Sequence, residues 1–424
     1  MKNWAGNITY ATEDVRYPRD VETLQQAVAS ARSVRALGSG HSFSSVGDTT
    51  GVLVSTRDLT FPVEIDADAR VAVVPGGATY AVVSRALHAS GWALHNLGSL
   101  PHISVAGACS TGTHGSGHLN GCLASAVVGI ELVRADGELV TVRAGDPDFQ
   151  GAVLALGALG VATRVWLRIE PTYDVRQGVA LDVPYGAVAD QAERILTSAY
   201  SVSLFTTFGQ PGLVDTVWVK QRVAPDAPDI DADDESSWPG VSWGGRLATE
   251  AVHPIPGLDA VAATEQLNVR GAWHDRLPHF RMEFVPSSGD ELQSEYFIAR
   301  EHASAVLEAL EAAAPSFTSV LQVCEIRTIA GDDLWLSPFN GRDTVAVHAT
   351  WGPDIDVVRP GLAAMEAALA PFDPRPHWGK VFLDFDADRI EGCFPGLLKF
   401  RELADRFDPE RCFANDYLVG LGVR

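Results

Sequence analysis

The feature that most constrains this chain is a run of 45 residues without a charge. Ala86–Ile130 contains no Asp, Glu, Lys or Arg, although charged residues make up 20% of the 424-residue chain. The run holds eight of the 39 glycines and five of the 12 histidines. It is too broken by glycine, asparagine, histidine and Pro101 to be a membrane helix, which needs ~20 apolar residues in succession. Two interpretations remain: a buried, loop-rich core segment, or a neutral backbone that wraps an anionic cofactor with N–H donors where glycine permits close approach.

Charge and cysteine usage exclude several classes of protein. The formal net charge of −22 would repel nucleic acid and anionic membranes, so we expect neither as a partner. The odd, scattered set of five cysteines contains no CxxC pair, which argues against a disulfide framework or a zinc ribbon and favours a reducing compartment. No segment reads as an export signal or a membrane span. The sequence therefore predicts a cytoplasmic protein.

Local patterns in the first third predict alternating strands and helices. Val52–Ser55 and Val71–Val74 are strand-like, and Tyr80–His88 carries apolar residues at helical spacing. Two β-branched runs within Val127–Arg143 flank Asp136-Gly137, a dipeptide suited to the positive φ angles of a tight turn, so this stretch predicts a β-hairpin.

From about Tyr173 the predicted elements become longer, which suggests a domain boundary there and two α+β domains. Ala224–Arg246, rich in Pro, Asp, Gly and Ser, is expected to be an exposed loop without a role in chemistry. Arg281 and Glu283 are expected to form a structural ion pair on one strand face. The predicted helices and strands of this half are Ala187–Tyr200, Thr216–Val223, Arg281–Phe284, His302–Ala314, Ser319–Ile329, Thr344–Trp351 and Val357–Leu369.

A glycine-rich loop, Arg35-Ala-Leu-Gly-Ser-Gly-His-Ser-Phe43, follows the strand-like Val34–Leu37. It is not a dinucleotide fingerprint, because Phe43 stands where that pattern needs its third glycine. It is not a P-loop either, since no Gly-Lys-Ser/Thr follows. The loop is expected to present His41 in a tight turn between Ser39 and Ser42. Taken alone, a histidine in a glycine loop is more often structural than functional.

A second cluster of small residues, Asn96–Gly115, supports a functional interpretation of the glycine-rich loop. Two loops with little side-chain bulk, joined by strands and a helix, can form a cradle for a diphosphate. His114 and His118 have a spacing that a metal pair uses on a helix, but Gly115 and Gly117 oppose a helix there, so we predict no metal site.

Several motifs together resemble the vanillyl-alcohol-oxidase type of FAD enzyme, and within it the sugar-alcohol (alditol oxidase) branch, which is related to the aldonolactone oxidases. The resemblance covers essentially the whole chain. The motifs that carry it are Asn3-Trp-Ala-Gly-Asn-Ile-Thr-Tyr10, Gly38-Ser-Gly-His-Ser-Phe43, Leu100-Pro-His-Ile-Ser-Val-Ala-Gly107, Thr111-Gly-Thr-His-Gly115, Pro286-Ser-Ser-Gly289, Cys324-Glu-Ile-Arg327 and Arg375-Pro-His-Trp-Gly-Lys380.

The resemblance implies a two-domain FAD-binding fold of the vanillyl-alcohol-oxidase type. Residues 1–173, completed by about 408–424, would form the FAD-binding domain, and 174–407 a sheet-and-helix substrate domain. It also implies FAD bound covalently through His41, at the 8α-methyl group of the flavin. The further cofactor contacts that it implies are Ala36, Leu37, Gly38, Ser39, Gly40, Ser42, Ser99, Ser104, Gly107, Ala108, Cys109, Ser110, Gly112 and Ala162. In related oxidases the residue equivalent to Gly98 is small and lies at the edge of the flavin that reacts with oxygen.

Strand periodicity places several polar residues of the second half on shared faces. Glu325 and Arg327 are two residues apart in a strand-like run, and so are His348 and Thr350 in the next one. Without a known family, a solvent-exposed, salt-bridged sheet face is the simpler interpretation, and Lys380 would pass for a surface lysine.

The resemblance assigns these residues to a polyol site. The matching arginine and lysine, Arg327 and Lys380, would contact the hydroxyl on the carbon being oxidised and favour its alkoxide-like form. The residues implied to bind the substrate are Ser99, Gln293, Glu325, Arg327, His348, Thr350 and Lys380.

The function that follows is an FAD-dependent oxidase of acyclic polyols such as xylitol and sorbitol. It would convert a primary alcohol into an aldehyde by hydride transfer to flavin N5 and reduce O2 to H2O2, as a monomer. Two alternatives stay open: an aldonolactone oxidase or dehydrogenase of the gulono- or galactono-lactone type, and a flavin-binding protein without turnover.

Overall fold

The computed structural model describes residues 1–224, 242–284 and 291–424. They form two domains of mixed helices and strands, which confirms the α+β prediction. Most of the predicted loop Ala224–Arg246 and the motif Pro286–Gly289 lie outside the described residues. Among the helices that are described, none combines the length and the apolar character needed to cross a membrane.

The described residues of the first domain form three sheets, one of them a pair of two-residue strands. Its small sheet is parallel, with the order β1-β3-β2, and its larger, antiparallel sheet has the order β4-β5-β9-β7-β8, while β6 pairs with β10. The strands are β1 Val15–Arg16, β2 Val34–Ala36, β3 Val52–Val54, β4 Glu64–Asp66, β5 Val71–Pro75, β6 Trp92–Ala93, β7 Val127–Val133, β8 Leu139–Arg143, β9 Val161–Arg168 and β10 Glu170–Pro171. The helices are α1 Val21–Ala29, α2 Tyr80–Ala89, α3 Val105–Thr111 and α4 Phe149–Ala152.

Local sequence explains several of these elements. The side chains of Asp20 and Thr79 accept hydrogen bonds from backbone N–H groups in the first turns of α1 and α2, and so cap those helices. Buried and half-buried residues alternate along most of β9, as expected for a strand with one face on the core. The predicted hairpin is confirmed as β7 and β8, and Gly137 in its turn has φ +82°.

The second domain is built on one antiparallel sheet, in which the described residues contribute nine strands. Its order is β14-β11-β13-β12-β17-β18-β16-β19, and β15 also pairs with β11. The strands are β11 Asp174–Pro184, β12 Ser201–Thr206, β13 Leu213–Val223, β14 Arg246–Leu247, β15 Gly271–Ala272, β16 Leu292–Ala299, β17 Leu321–Ile329, β18 Thr344–Trp351 and β19 Arg375–Pro376. The helices of this half are α5 Tyr185–Asp190, α6 Ala192–Leu196, α7 Ala303–Ala313, α8 Ile355–Leu369, α9 Ala387–Cys393, α10 Leu397–Phe407 and α11 Asp416–Gly420.

Two predicted elements of the second half are wrong. The single long element expected over Ala187–Tyr200 is divided at Gln191 into two short helices, α5 and α6, and α6 ends at Leu196. The expected strand Arg281–Phe284 is a turn closed by the Phe284 N–H on the Arg281 carbonyl. Arg281 and Glu283 therefore do not form the expected pair: Arg281 donates to the Ala263 carbonyl, and Glu283 pairs with Arg85 at 2.7 Å.

The C-terminal segment packs back onto the first domain. The Val34 N–H donates to the Cys412 carbonyl at 2.9 Å, and Phe413 is buried beside α1 and the small sheet. Arg35, at the start of the glycine-rich loop, is buried, and its guanidinium donates to the Phe413, Gly157, Val46 and Leu156 carbonyls. One guanidinium thus joins three separate segments beneath that loop.

Candidate active site

A cavity of ≈ 730 Å³ is lined by residues of both domains. It brings together all seven residues predicted to bind substrate: Ser99, Gln293, Glu325, Arg327, His348, Thr350 and Lys380. It also brings together most of the predicted cofactor contacts: Ala36, Leu37, Gly38, Ser39, Gly40, His41, Ser42, Ser99, Ser104, Gly107, Ala108, Ser110 and Ala162.

Two predicted cofactor contacts lie away from the cavity lining. The Cys109 side chain is buried in the core, where its Sγ is 3.5 Å from the Tyr80 hydroxyl. Gly112 ends α3 with φ +77°, and a Cβ there would lie 3.3 Å from side-chain atoms of Leu154 and Pro338. Both positions serve the packing of α3 in this structure.

The glycine-rich loop and the start of α3 pack closely against each other at Gly38 and Gly107. A Cβ added at Gly38 would lie 2.6 Å from Ser104 Oγ, and one at Gly107 would lie 2.7 Å from the same atom, so a side chain at either position would force the Ser104 hydroxyl to move. The Ser104 N–H donates to Ser39 Oγ at 3.2 Å. Ser104 Oγ and His41 Nδ1 are buried without a hydrogen-bond partner among the described residues. A narrow backbone cradle with unused polar atoms is what a phosphate-bearing cofactor requires.

The loop that carries His41 is joined directly to the loop that carries Lys380. The Phe43 N–H donates to the Gly379 carbonyl at 2.7 Å, and Ser44 Oγ donates to the Trp378 carbonyl at 2.7 Å. The first of these bonds lies two residues from His41 and one residue from Lys380.

Three neighbouring strands supply the other wall of the cavity. Glu295 in β16 lies opposite His348 in β18, and His348 lies opposite Glu325 in β17. Gln293 lies opposite Thr350 in the adjacent row. Because directly opposed residues of antiparallel strands point to the same face, the register places these side chains on one surface.

This surface is buried, which contradicts the interpretation of an ordinary exposed sheet face. The side chains of Glu325 and Arg327 are 3% and 5% exposed, and that of Lys380 is 12% exposed. Lys380 reaches the face because its chain segment runs along β16: the His377 N–H donates to the Glu295 carbonyl and the Val381 N–H to the Gln293 carbonyl. Arg327 also approaches the first domain, since its Nη1 donates to Ser99 Oγ at 3.3 Å.

Glu295 is one of the residues that the sequence analysis missed, and it lies at the centre of the charge network. Its Oε2 accepts from Lys380 Nζ at 2.6 Å, and its Oε1 lies 3.1 Å from both Arg327 Nη2 and His114 Nε2. A signal was available, because Glu295 stands two residues after Gln293 and shares its strand face. His114, which was considered only as a metal ligand, contacts this carboxylate instead.

A second chain of buried groups leads away from Glu325. Its Oε1 is 2.9 Å from His279 Nε2, and His279 Nδ1 is 3.4 Å from Lys220 Nζ. Lys220 also donates to the Leu277 carbonyl at 2.5 Å. Neither His279 nor Lys220 stood in a motif, so the sequence held no signal for them.

The electrostatics keep the two carboxylates charged. Burial disfavours their charged forms, but the neighbouring side chains outweigh it: Lys380, His114 and Arg327 hold the pKa of Glu295, and Arg327 and His279 that of Glu325, well below the usual value. Burial lowers the pKa of Lys380, against the opposing effect of Glu295. Burial lowers the pKa of Lys220 to about 7 and that of His348 to about 4.

Neither the backbone conformation nor the surrounding space requires a glycine at position 98. A Cβ at this position would make ordinary contacts, 3.5 Å from Thr113 Cγ2 and 3.6 Å from Ile103 Cδ1. Alanine would therefore fit at Gly98 without displacing its neighbours.

Comparison with known protein families assigns different parts of the chain to cofactor binding and to oxidation. Residues 13–143 match the FAD binding domain family, and residues 286–421 match the D-arabinono-1,4-lactone oxidase family. The fold is shared with cholesterol oxidase from B. sterolicum (TM-score 0.75, 15% identity, 99% of this chain and 96% of that one). It is also shared with xylooligosaccharide oxidase from Myceliophthora thermophila (TM-score 0.76, 15% identity, 98% of this chain and 93% of that one).

Full-length relatives are found as well. The chain is 28% identical to an L-gulono-1,4-lactone dehydrogenase of Mycobacterium tuberculosis, over 98% of this chain and 97% of that protein. It is 46% identical to an alditol oxidase of Streptomyces sp., over 99% of this chain and 98% of that protein. These similarities confirm the vanillyl-alcohol-oxidase type of fold and FAD as the cofactor, and the chain belongs to the alditol oxidase family of FAD-dependent oxidoreductases.

Proposed function

We propose that this protein is an FAD-dependent alditol oxidase, which converts a primary hydroxyl of xylitol, sorbitol or a similar polyol into an aldehyde. The observation that carries the proposal is one continuous cavity in which the His41 loop faces a buried row of hydrogen-bonding side chains and two cations. In the proposed reaction, the alcohol carbon would give a hydride to bound FAD, and its hydroxyl would release a proton. Reoxidation by O2 then yields H2O2, so alcohol and O2 become aldehyde and H2O2.

Arg327 and Lys380 are the proposed catalytic residues. Both lie against Glu295, so their head groups share one carboxylate at the same end of the cavity. A hydroxyl placed between them would have its developing negative charge stabilised by two buried cations, which act strongly because little water screens them. When bound, FAD supplies the hydride acceptor.

The remaining polar residues of the row are proposed to bind the other hydroxyls of the chain: Ser99, Gln293, Glu325, His348 and Thr350. Glu325 accepts hydrogen bonds, and the His348 Nε2 atom is buried without a partner among the described residues. A linear polyol offers a donor and an acceptor at every carbon. A site of this kind rejects deoxy analogues, because its own polar groups would be left unpaired.

We expect xylitol to reduce the enzyme faster than gulono- or galactono-lactones do. The row extends along three strands and suits an open chain, whereas a lactone ring lacks free hydroxyls at two of its carbons. Anaerobic bleaching of the flavin absorbance with each compound, followed by admission of air, measures both half-reactions. Higher kcat/KM on the lactones would favour the aldonolactone alternative, and no bleaching by any of them would favour a binding protein without turnover.

The covalent attachment of FAD through His41 is also part of the proposal. The fit is supported by His41 Nδ1, which is buried without a partner among the described residues, and by the cradle at Gly38, Ser104 and Gly107. Burial lowers the pKa of His41 to about 4, so its imidazole is neutral and keeps a free lone pair at neutral pH. An attached imidazole would raise the oxidising power of the flavin and prevent its loss.

Acid precipitation is expected to leave the flavin with the wild-type polypeptide and to release it from His41→Ala. His118→Ala serves as the control, because His118 is another histidine of the first domain and lies outside the cavity lining. The measurement is in-gel flavin fluorescence together with the absorbance of the supernatant. Release of the flavin from wild type, or its retention by His41→Ala, would contradict the covalent link.

We also propose the domain division stated above, with residues 1–173 and about 408–424 forming the FAD-binding domain and 174–407 the substrate domain. The packing of Cys412 and Phe413 against β2 and α1 supports the C-terminal completion. The proposed cytoplasmic location is supported by five cysteines that are all buried and unpaired. We propose a monomer because one chain supplies the whole polar row and the His41 loop.

A further inference from the structure

The N-terminal motif Asn3-Trp-Ala-Gly-Asn7 holds the His41 loop on both sides of the histidine. The Trp4 N–H donates to the Gly40 carbonyl at 2.8 Å, before His41. The Asn3 side-chain amide donates to the Ser42 carbonyl at 2.9 Å, and that of Asn7 donates to the Phe43 carbonyl at 2.9 Å, after it. We call residues 3–7 the N-terminal clamp. Its hydrogen bonds fix the backbone from which the imidazole projects.

The clamp also fixes the imidazole ring itself. The Trp4 indole stacks on His41 with ring centroids 5.0 Å apart and an interplanar angle of 19°. Phe43 meets the indole edge-on at 6.4 Å and 85°, and so limits its rotation. Trp4 lines the cavity, and its Nε1 is buried without a partner among the described residues. One face of the imidazole is therefore covered by an aromatic plane, while its Nδ1 has no hydrogen-bond partner among the described residues.

Attachment of a flavin makes strict demands on this ring. The reaction joins an imidazole nitrogen to the 8α-carbon, removes the imidazole N–H proton and one methyl hydrogen, and passes two electrons to the flavin ring. O2, the oxidant of the proposed function, then takes those electrons and gives H2O2. The nitrogen lone pair must point at the methyl carbon, and a displacement of ~1 Å in such a step costs on the order of 100-fold in rate.

We propose that Trp4 is a positioning residue for flavin attachment, which holds the His41 imidazole in the orientation from which it bonds to the cofactor. The proposal rests on the covalent link of the proposed function. It assigns a role to a motif at the start of the chain that does not belong to the polyol-binding face.

The test compares wild type, Trp4→Ala and Trp4→Phe, each purified without FAD and then incubated with it. Samples taken over time are acid-precipitated, and the flavin retained by the polypeptide is measured. We expect Trp4→Ala to attach FAD about 100-fold more slowly than wild type, and Trp4→Phe, which keeps a flat ring, to remain close to wild type. Trp92→Ala is the matched control, since Trp92 is a half-buried tryptophan of the same domain outside the cavity lining.

A second readout separates positioning from general damage. Trp4→Ala is expected to retain FAD on gel filtration in native buffer and to melt close to Trp92→Ala, although it loses the flavin in acid. If Trp4→Ala does not fold, Trp4→Leu, which keeps apolar volume without a ring, is expected to show the same slow attachment. Attachment at the wild-type rate in Trp4→Ala or Trp4→Leu, or equal slowing in Trp92→Ala, would overturn the role of Trp4. Loss of flavin from wild type itself would instead overturn the covalent link.

Discussion

Replacing Lys380 with methionine is expected to abolish polyol oxidation while leaving FAD bound. Methionine keeps the length and apolar stem of the lysine but removes the ammonium group that lies 2.6 Å from Glu295. The loss of one positioned donor for a developing oxyanion costs on the order of 10²–10³-fold in kcat. The Lys380 side chain contacts Glu295, and the bond between its loop and the glycine-rich loop is made by peptide groups, so the flavin spectrum of the variant is expected to match that of wild type.

Stopped-flow reduction by xylitol under anaerobic conditions measures this effect on the chemical step itself. Lys399→Met is the control, because Lys399 is an exposed lysine of α10 and takes no part in the cavity lining. Unchanged reduction in Lys380→Met would remove Lys380 from the mechanism and leave Arg327 as the single proposed cation at the reacting hydroxyl.

Glu295→Gln is expected to destabilise the protein and to impair catalysis at once. The amide keeps the shape of the carboxylate but cannot balance the charges of Arg327, which is buried, and of Lys380, whose side chain is 12% exposed. Removing one partner of a buried ion pair costs about 3–5 kcal/mol in the free energy of unfolding. Thermal melting in the presence of FAD measures this loss, and Glu301→Gln, at a side chain that is 81% exposed, is the control.

The same variant should change the pH dependence of oxidation. The negative charge of Glu295 opposes the effect of burial on Lys380 and so raises the pKa of the ammonium group. Without that charge the pKa of Lys380 falls, and the protonated lysine is lost at a lower pH. The alkaline limb of the kcat/KM profile is therefore expected to move to lower pH in Glu295→Gln. A profile and a melting temperature equal to those of wild type would show that Glu295 has no influence on the cations.

The parts of the structure that sequence could predict are those whose signal is local. Asp136-Gly137 between β-branched runs specifies the hairpin of β7 and β8 by turn chemistry alone. Glu325 and Arg327 were placed on one face because the side-chain period of a strand is two. The roles of these residues came from motifs of a known family and not from periodicity.

The parts that sequence missed depend on contacts between distant segments. Strand β16 is buried on both faces, so it lacks the alternation of apolar and polar residues that marks a half-exposed strand, and Glu295 within it went unnoticed. The Ala187–Tyr200 pattern favours one long element, but the structure interrupts it at Gln191. His279 and Lys220 reach Glu325 only through tertiary packing, which no spacing along the chain could indicate.

The hydrogen bond between the Phe43 N–H and the Gly379 carbonyl has a consequence for how such an enzyme can change. It connects peptide groups, so substitution of side chains leaves it intact, whereas an insertion or deletion in either loop breaks it. The distance between His41 and the ammonium group of Lys380 is therefore little affected by point mutation but sensitive to loop length. Variation in substrate preference within this scaffold should therefore arise by exchange of side chains along β16, β17 and β18, with the lengths of both loops conserved.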